Sequence, residues 1–288
     1  MSSFLISTSF LCSSTCLSLI CSGKTFTTLG NEYSPGIVLL AIGDIFHYIA
    51  QSPNRQFLLR ISCIEIYNEE INDLLATGPQ SRNLKLENVG GLNKDGTINL
   101  AATQVGVKIR GLTQEFVKSP AEFIQLLLRG EENRKIASTD ANLRSSRSHT
   151  MFRIHIESRA RAQPNAPTPP SKKIRSSLLT FVDLAGSECI SELGGSLERQ
   201  RECRHINKSL LGLSRVIVKL AEGQGNVEGG HVPYRDSTLT RVLRPALGGN
   251  SHTLFICCVS PHQACREESV RQEMRANTRI YKEIRQRY

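Results

Sequence analysis

The chain has 288 residues, 39% of them hydrophobic and none of them tryptophan, which is enough for one large α/β core or two small ones. A formal net charge of +10 and a pI near 9.3 imply a solvated basic surface or an acidic partner; nucleic acid, anionic membrane and acidic protein all stay open on charge alone. The nine cysteines include no C-x-x-C pair, and their odd number argues against a disulfide scaffold and for a reduced, intracellular setting.

Residues 1–23 carry no charge and are dominated by Ser, Thr, Leu and Cys. A secretory signal needs a basic start, and a membrane span needs about 20 mostly apolar residues, whereas hydroxyls interrupt this stretch throughout. A strand with an irregular lead-in is expected. Next comes Ser22-Gly23-Lys24-Thr25-Phe26. Gly-Lys-Thr after an apolar run is the second half of a phosphate-binding loop. There, backbone N–H groups face the phosphates, the lysine reaches the outer ones and the threonine hydroxyl ligates magnesium. The full G-x-x-x-x-G-K-[ST] pattern asks for glycine at position 18, where Ser18 stands. Half of the cradle is written.

The spacing of Ile37, Val38, Leu39, Leu40, Ile45, Phe46 and Ile49 predicts a helix, and Phe57–Tyr67 predicts a strand closed off by residues 71–75. Residues 76–97 read as a surface excursion with short strands. Ser119-Pro120-Ala121-Glu122 is a helix start, serine as cap and proline in the first turn, leading through Phe123, Ile124, Leu127 and Leu128 towards Arg134. Residues 138–149 crowd hydroxyls, an amide, two arginines and a histidine together, as a loop that caps its own backbone would. Met151–Glu157 alternates like a strand with one wet face. A proline-rich connection over residues 160–175 leads to Leu178–Asp183, an apolar run that reads as a strand buried on both sides of a parallel sheet. It ends in Asp183-Leu184-Ala185-Gly186-Ser187-Glu188, an acid and a glycine at the strand's carboxyl end, where α/β sheets bind ligands.

A helix is expected over residues 201–222. At about 100° per residue, Ile206, Leu210, Leu213, Ile217 and Leu220 fall within roughly 40° of one line. Arg201, Arg204, Lys208, Arg215 and Lys219 lie roughly opposite, with no acid among them. A merely solvated face would mix both signs; a single-sign stripe favours an acidic partner. No zinc-finger or helix-turn-helix pattern and no aromatic interleaving supports nucleic acid.

Five ordered motifs then carry a family resemblance. Asn142-Leu143-Arg144-Ser145-Ser146-Arg147-Ser148-His149 resembles the first switch of kinesin motor domains, and Asp183–Glu188 resembles the second. His205-Ile206-Asn207-Lys208-Ser209-Leu210 resembles the start of their relay helix. Val232-Pro233-Tyr234-Arg235-Asp236-Ser237 with Leu239-Thr240-Arg241 is similar to their microtubule-facing loop and helix, and Pro245–Asn250 to the approach to the last core strand. The match covers about residues 22–260, and the tract 144–158 most resembles the centromere-associated, kinesin-7-like group.

The resemblance implies a P-loop NTPase-type fold: a mixed, mostly parallel sheet flanked by helices, incomplete at the N-terminus. It implies a lead-in over residues 1–21, a partial motor domain over 22–265 and a divergent helix over 266–288. It also implies an ATP-dependent, microtubule-stimulated motor in the cytoplasm, associated with the cytoskeleton. ATP and magnesium would be bound by Ser22, Gly23, Lys24, Thr25, Phe26, Ser146 and Asp183, with Thr25 and Ser146 on the metal. Ser145 would position the attacking water, Gly186 would donate its N–H to the γ-phosphate, and Asn207 would order the water chain. Arg147 and Glu188 would latch the switches together, and Lys208, Arg215, Lys219, Arg235 and Arg241 would face the microtubule. Neither nucleic acid nor membrane is an expected partner, and no heptads for dimerisation are present in the chain.

Four departures bear on activity. The strands that precede the phosphate loop in the family are not matched, which would leave apolar edges in the sheet centre. Ser18-Leu19-Ile20-Cys21 replaces the glycine-led half of the loop, Thr238 stands where a basic residue usually faces the track, and Gln272 and Glu273 replace an apolar docking pair. A non-catalytic microtubule-binding protein derived from a kinesin is therefore the alternative function.

Overall fold

The longest strand, β2 (Arg55–Tyr67), carries β-branched and aromatic residues over its whole length, and its second half is buried on both faces. It is an interior strand of a mixed sheet in a computed structural model that describes residues 8–13, 23–31, 33–89, 106–136, 147–161, 174–186, 197–221, 232–248 and 251–258. β2 pairs antiparallel with β3 (Glu70–Asp73), with β6 (Glu115–Val117) and, over twelve partners from Arg55↔Ala160 to Ile66↔His149, with β7 (His149–Ala160). β7 in turn pairs antiparallel with β8 (Arg175–Asp183). Beyond β8 lie β1 (Thr8–Ser13) and β9 (His252–Cys257), giving the order β3-β2-β7-β8-β1-β9. A small separate ribbon joins β4 (Leu86–Val89) to β5 (Gly106–Ile109).

The sheet is mixed as expected, but its parallel pairings are confined to three strands: β1 pairs parallel with β8 and with β9 while the other pairings are antiparallel. β1 also removes the exposed centre that the unmatched strands would have left. Thr8–Ser13, free of charge and proline, occupies the slot between β8 and β9, with Leu11 opposite both Val182 and Phe255.

Helices cover both faces. On one side α2 (Ile37–Ala50) and α3 (Pro120–Ile136) bury Val38, Ile42, Phe123 and Leu127 against Ile61, Cys63, Phe152, Ile154 and Phe181. On the other, α4 (Leu197–Ala221) and α5 (Thr238–Gly248) bury Leu213, Leu239 and Leu243 against Ile64, Ile66, Met151 and Val182. β7 is thus covered on both faces along its first half, contrary to the one wet face expected of Met151–Glu157. Its polar residues alternate towards the far end, where Arg60 pairs with Glu157.

Local chemistry sets the element ends as expected at α3. Ser119 Oγ accepts the N–H of Glu122 at 3.2 Å while the Glu122 carboxylate accepts the N–H of Lys118 at 2.8 Å, a reciprocal cap. Phe123 and Leu127 are the buried large apolar members of that helix, and Ile124 and Leu128 are exposed. The β2–β3 turn places Asn68 and Glu69 at positive φ (50° and 65°), as a tight two-residue hairpin demands. Glutamate is a poor choice there, and its side chain has other work. Glu69 accepts the Thr238 N–H at 2.7 Å through its carboxylate and the Thr238 hydroxyl at 2.8 Å through its carbonyl, capping α5. Thr238 is therefore tied to the β2–β3 turn.

Candidate nucleotide and switch site

The site forms at the carboxyl end of β8. Apolar residues hold Phe181 and Val182 in the two cores, and the chain emerges at Asp183, which is 3% exposed. Facing it is α1 (Lys24–Leu29), preceded by Gly23 at φ +83°. A Cβ on Gly23 would meet no atom within 4 Å, so glycine is required there by the left-handed backbone, not by crowding. The turn carries the Gly23 carbonyl onto the Thr27 N–H at 2.8 Å and aims Thr25 across the gap. Thr25 Oγ1 donates to Asp183 Oδ2 at 2.8 Å, joining residues 158 positions apart.

The electrostatics of this contact suit a dication. Burial pushes the Asp183 carboxyl up; the Thr25 hydrogen bond and the nearby Arg134 and Lys24 charges pull it back. Asp183 Oδ1 is buried without a hydrogen-bond partner. Because the Thr25 hydroxyl spends its proton on Asp183, its lone pairs remain available to a cation. Among the described residues no three His, Cys, Asp or Glu side chains cluster as a metal cage. A protein that offers one hydroxyl and one nearby carboxylate suits magnesium, which is usually held by few protein oxygens together with substrate phosphates.

Three buried polar residues support the site from below. Arg134, 4% exposed near the end of α3, donates to Ser148 Oγ at 3.2 Å and to the Ser148 carbonyl at 3.4 Å, and lies 3.7 Å from Glu131. Glu131 is itself pushed up by burial, with Arg134 opposing the shift. On the opposite face of the same strand start, His149 Nδ1 accepts the Ala185 N–H at 2.9 Å and Nε2 lies 2.8 Å from Ser209 Oγ on α4. Neither Arg134 nor Glu131 was singled out in the sequence, where Arg134 is merely a basic residue at a helix end. The signal that could have found it is a cation followed closely by a hydroxyl-rich stretch.

Of the other expected site residues, Arg147 and Gly186 are buried beside these groups, Asn207 is half-buried on α4, and Phe26 is 52% exposed. Ser22, Ser145, Ser146 and Glu188 lie outside the described residues, as do Gln272 and Glu273. On the outer face of α4, Lys208 and Arg215 are exposed and Lys219 is half-buried. Lys208, Leu211, Gly212 and Arg215 line a groove of about 300 Å³ with Asp236. The stripe itself holds no acid, but Asp236 Oδ2 reaches Arg215 Nη1 at 3.8 Å from the neighbouring turn. Arg235 is exposed in that turn, and Arg241 is half-buried on α5. No described helix is long and apolar enough to cross a membrane.

A glycine-preceded lysine and threonine facing an aspartate at the end of a sheet strand, between helical layers, define a P-loop-type nucleotide-binding fold. The family is shown by comparison: the kinesin motor domain matches residues 19–276, and this chain belongs to that family. The chain is 46% identical over 239 residues to Kinesin-like protein KIN-7O of Arabidopsis thaliana, a match covering 83% of this chain and 18% of that protein. It is 44% identical over 251 residues to Kinesin-related protein 4 of Dictyostelium discoideum, covering 86% of this chain and 12% of that one. It therefore spans less than a fifth of either relative's length. Among solved structures it resembles a fast kinesin (34% identity, TM-score 0.75, 95% of this chain and 71% of that one). It also resembles KIF14 with ADP in complex with a microtubule (30% identity, TM-score 0.76, 96% and 73%). β1 lies outside the matched residues.

Proposed function

We propose that this chain is the ATP-hydrolysing, microtubule-binding domain of a kinesin motor. The observation that carries the reading is the Thr25–Asp183 hydrogen bond at 2.8 Å with Asp183 Oδ1 left without a partner, an arrangement ready for a hydrated dication and its phosphates. Lys24 reaches the β- and γ-phosphates. Thr25 and Ser146 would hold magnesium, with Asp183 as the nearby carboxylate. Bound magnesium neutralises charge on the phosphates. Gly23 and the residues beside it, Ser22 and Phe26, wrap the nucleotide. Ser145 positions the water, Gly186 donates its N–H to the γ-phosphate, Arg147 and Glu188 pair across the switches, and Asn207 orders the intervening solvent. Such a site works by positioning and charge neutralisation, so a γ-phosphate that orders two loops serves as a switch.

The basic residues Lys208, Arg215 and Arg235, which are exposed, with the half-buried Lys219 and Arg241, form the track-facing surface, and an acidic microtubule is the partner this sign of charge fits. Cytoskeletal localisation follows from that partner. Microtubule-stimulated phosphate release by the purified chain tests the reading, and its absence, together with an absence of nucleotide binding, would refute the enzymatic part.

Ser18 in place of the leading glycine favours a second reading, a microtubule-binding protein without turnover. Under it, cosedimentation with microtubules would respond to salt and ignore ATP and ADP.

A further inference from the structure

The two hydrogen bonds at His149 have a definite direction. Ser209 Oγ donates to the Ile206 carbonyl at 2.8 Å, so its single proton is spent within α4. The 2.8 Å contact between Ser209 Oγ and His149 Nε2 must then be donated by the ring. The other ring nitrogen, Nδ1, accepts the Ala185 N–H at 2.9 Å. The imidazole is thereby fixed as the neutral Nε2–H tautomer, one face of the ring system answering to the switch segment and the other to the helix.

We propose that His149 is a positioning residue that relays movement of the Leu184–Ala185–Gly186 segment to α4 through Ser209. The inference rests on the function proposed above, in which Gly186 meets the γ-phosphate and α4 presents Lys208, Arg215 and Lys219 to the track. Ala185 immediately precedes Gly186, so a phosphate that draws Gly186 draws the Ala185 amide with it. An N–H···N bond tolerates only a few tenths of an ångström before it weakens, so the rigid ring must follow or let go. Its other nitrogen is held by the Ser209 hydroxyl of α4, which directly follows Asn207 and Lys208 in the helix. His149 is 2% exposed and Ser209 3%, so both bonds are shielded from bulk solvent. Burial, with the Arg134 and Lys24 charges, brings the His149 pKa down to about 3, so the ring stays neutral and keeps its tautomer at any working pH.

A satisfied core histidine would look similar in a static structure, and the variants separate the two. Asn in place of His149 keeps an acceptor near the Nδ1 position and loses the reach to Ser209; Gln keeps the reach and orphans the Ala185 N–H; Ser209→Ala removes the far partner alone. The first readout is amide hydrogen exchange without nucleotide or microtubules, with β2 amides as the control for global stability. Ser209→Ala is expected to speed Ala185 exchange about fivefold beyond any change in β2. The second is microtubule cosedimentation in a non-hydrolysable ATP analogue and in ADP. His149→Asn and Ser209→Ala are each expected to shrink the ratio of the two affinities at least about fivefold while nucleotide affinity is kept.

Ala185 exchange that changes only in step with β2, or an affinity ratio unchanged in both variants, would overturn the relay. A wild-type chain whose microtubule affinity ignores nucleotide would instead sink the functional reading, and the exchange experiment would still decide whether Ser209 and Ala185 communicate through the ring.

Discussion

Asp183 holds a carboxylate where burial disfavours its charge, and this sets function against stability at one residue. Asp183→Asn keeps an acceptor for the Thr25 hydroxyl and removes the buried charge. The substituted chain should therefore melt no lower than the wild type while binding magnesium–nucleotide at least about tenfold more weakly, since a carboxylate is a far better partner than an amide for a hydrated dication. Thermal melts with and without magnesium–ATP check both halves at once. His149 makes the pH prediction. Its folded pKa, about 3, lies below the ordinary value of 6.5, so between these limits the unfolded chain binds more protons than the folded one. Its contribution is complete above pH 6.5 and is lost as the pH falls, by up to about 1.4 kcal/mol per pH unit. His155, brought down to about 4 mainly by burial, acts in the same direction. Denaturant melts from pH 7 to pH 5 should show stability falling, with a shallower slope in His149→Asn; equal slopes would contradict the assignment.

At the scale of elements, α4 decides whether the basic stripe is a binding surface. Lys208 and Arg215 are exposed, so replacing both with alanine should leave the melting temperature within the small range usual for surface changes. Microtubule affinity should drop several-fold in low salt, and less in high salt, where the Debye length shortens. Cosedimentation across a salt series measures it. By contrast, Phe152→Ala in the doubly covered strand β7 removes a side chain only 2% exposed and should cost about 3–5 kcal/mol without reaching the site directly. The helical period of α4 was legible in the sequence, but its buried line was placed slightly off. Ser209, Gly212 and Val216 are buried too, which moves the centre of the face away from Leu210 and Ile217. A pattern that scores apolar residues cannot see a buried serine whose hydroxyl is satisfied by a histidine sixty positions away, or a glycine that lets α5 approach. The Gly212 case is specific: a Cβ there would lie 3.3 Å from Ser237 Oγ. Likewise the alternation in Met151–Glu157 reports strand but cannot report that helices cover both faces, because Thr150, Ser148 and His149 are polar and buried. The cap at Ser119 was readable because its chemistry is local and its spacing is short.

For the molecule as a whole, the sheet is made continuous between β8 and β9 by a strand that lies before the residues matched by the kinesin motor domain family, 19–276. β1 supplies parallel partners to both β8 and β9, from Ser9↔Thr180 and Thr8↔His252 onward. Removing residues 1–13 should leave β8 and β9 with unpaired N–H and C=O groups along the edges that β1 occupies. The shortened chain should lose cooperative unfolding and aggregate, seen as a broadened melt and light scattering. A sharp transition at the wild-type temperature would show that β1 is dispensable. The strand itself is expected from the sequence, but its place in the sheet is not legible there, because an uncharged hydroxyl-rich run carries no motif to say which strands it joins. The switch residues, the paired helical layers and the basic face of α4 converge on one claim, that nucleotide state at Asp183 governs attachment at Lys208 and Arg215. The most direct test is steady-state phosphate release by the purified chain with magnesium–ATP, measured with and without microtubules. The account predicts a rate that rises with microtubule concentration to saturation and is abolished in Lys24→Ala. A rate indistinguishable from buffer under both conditions, in a chain that melts cooperatively, would contradict it.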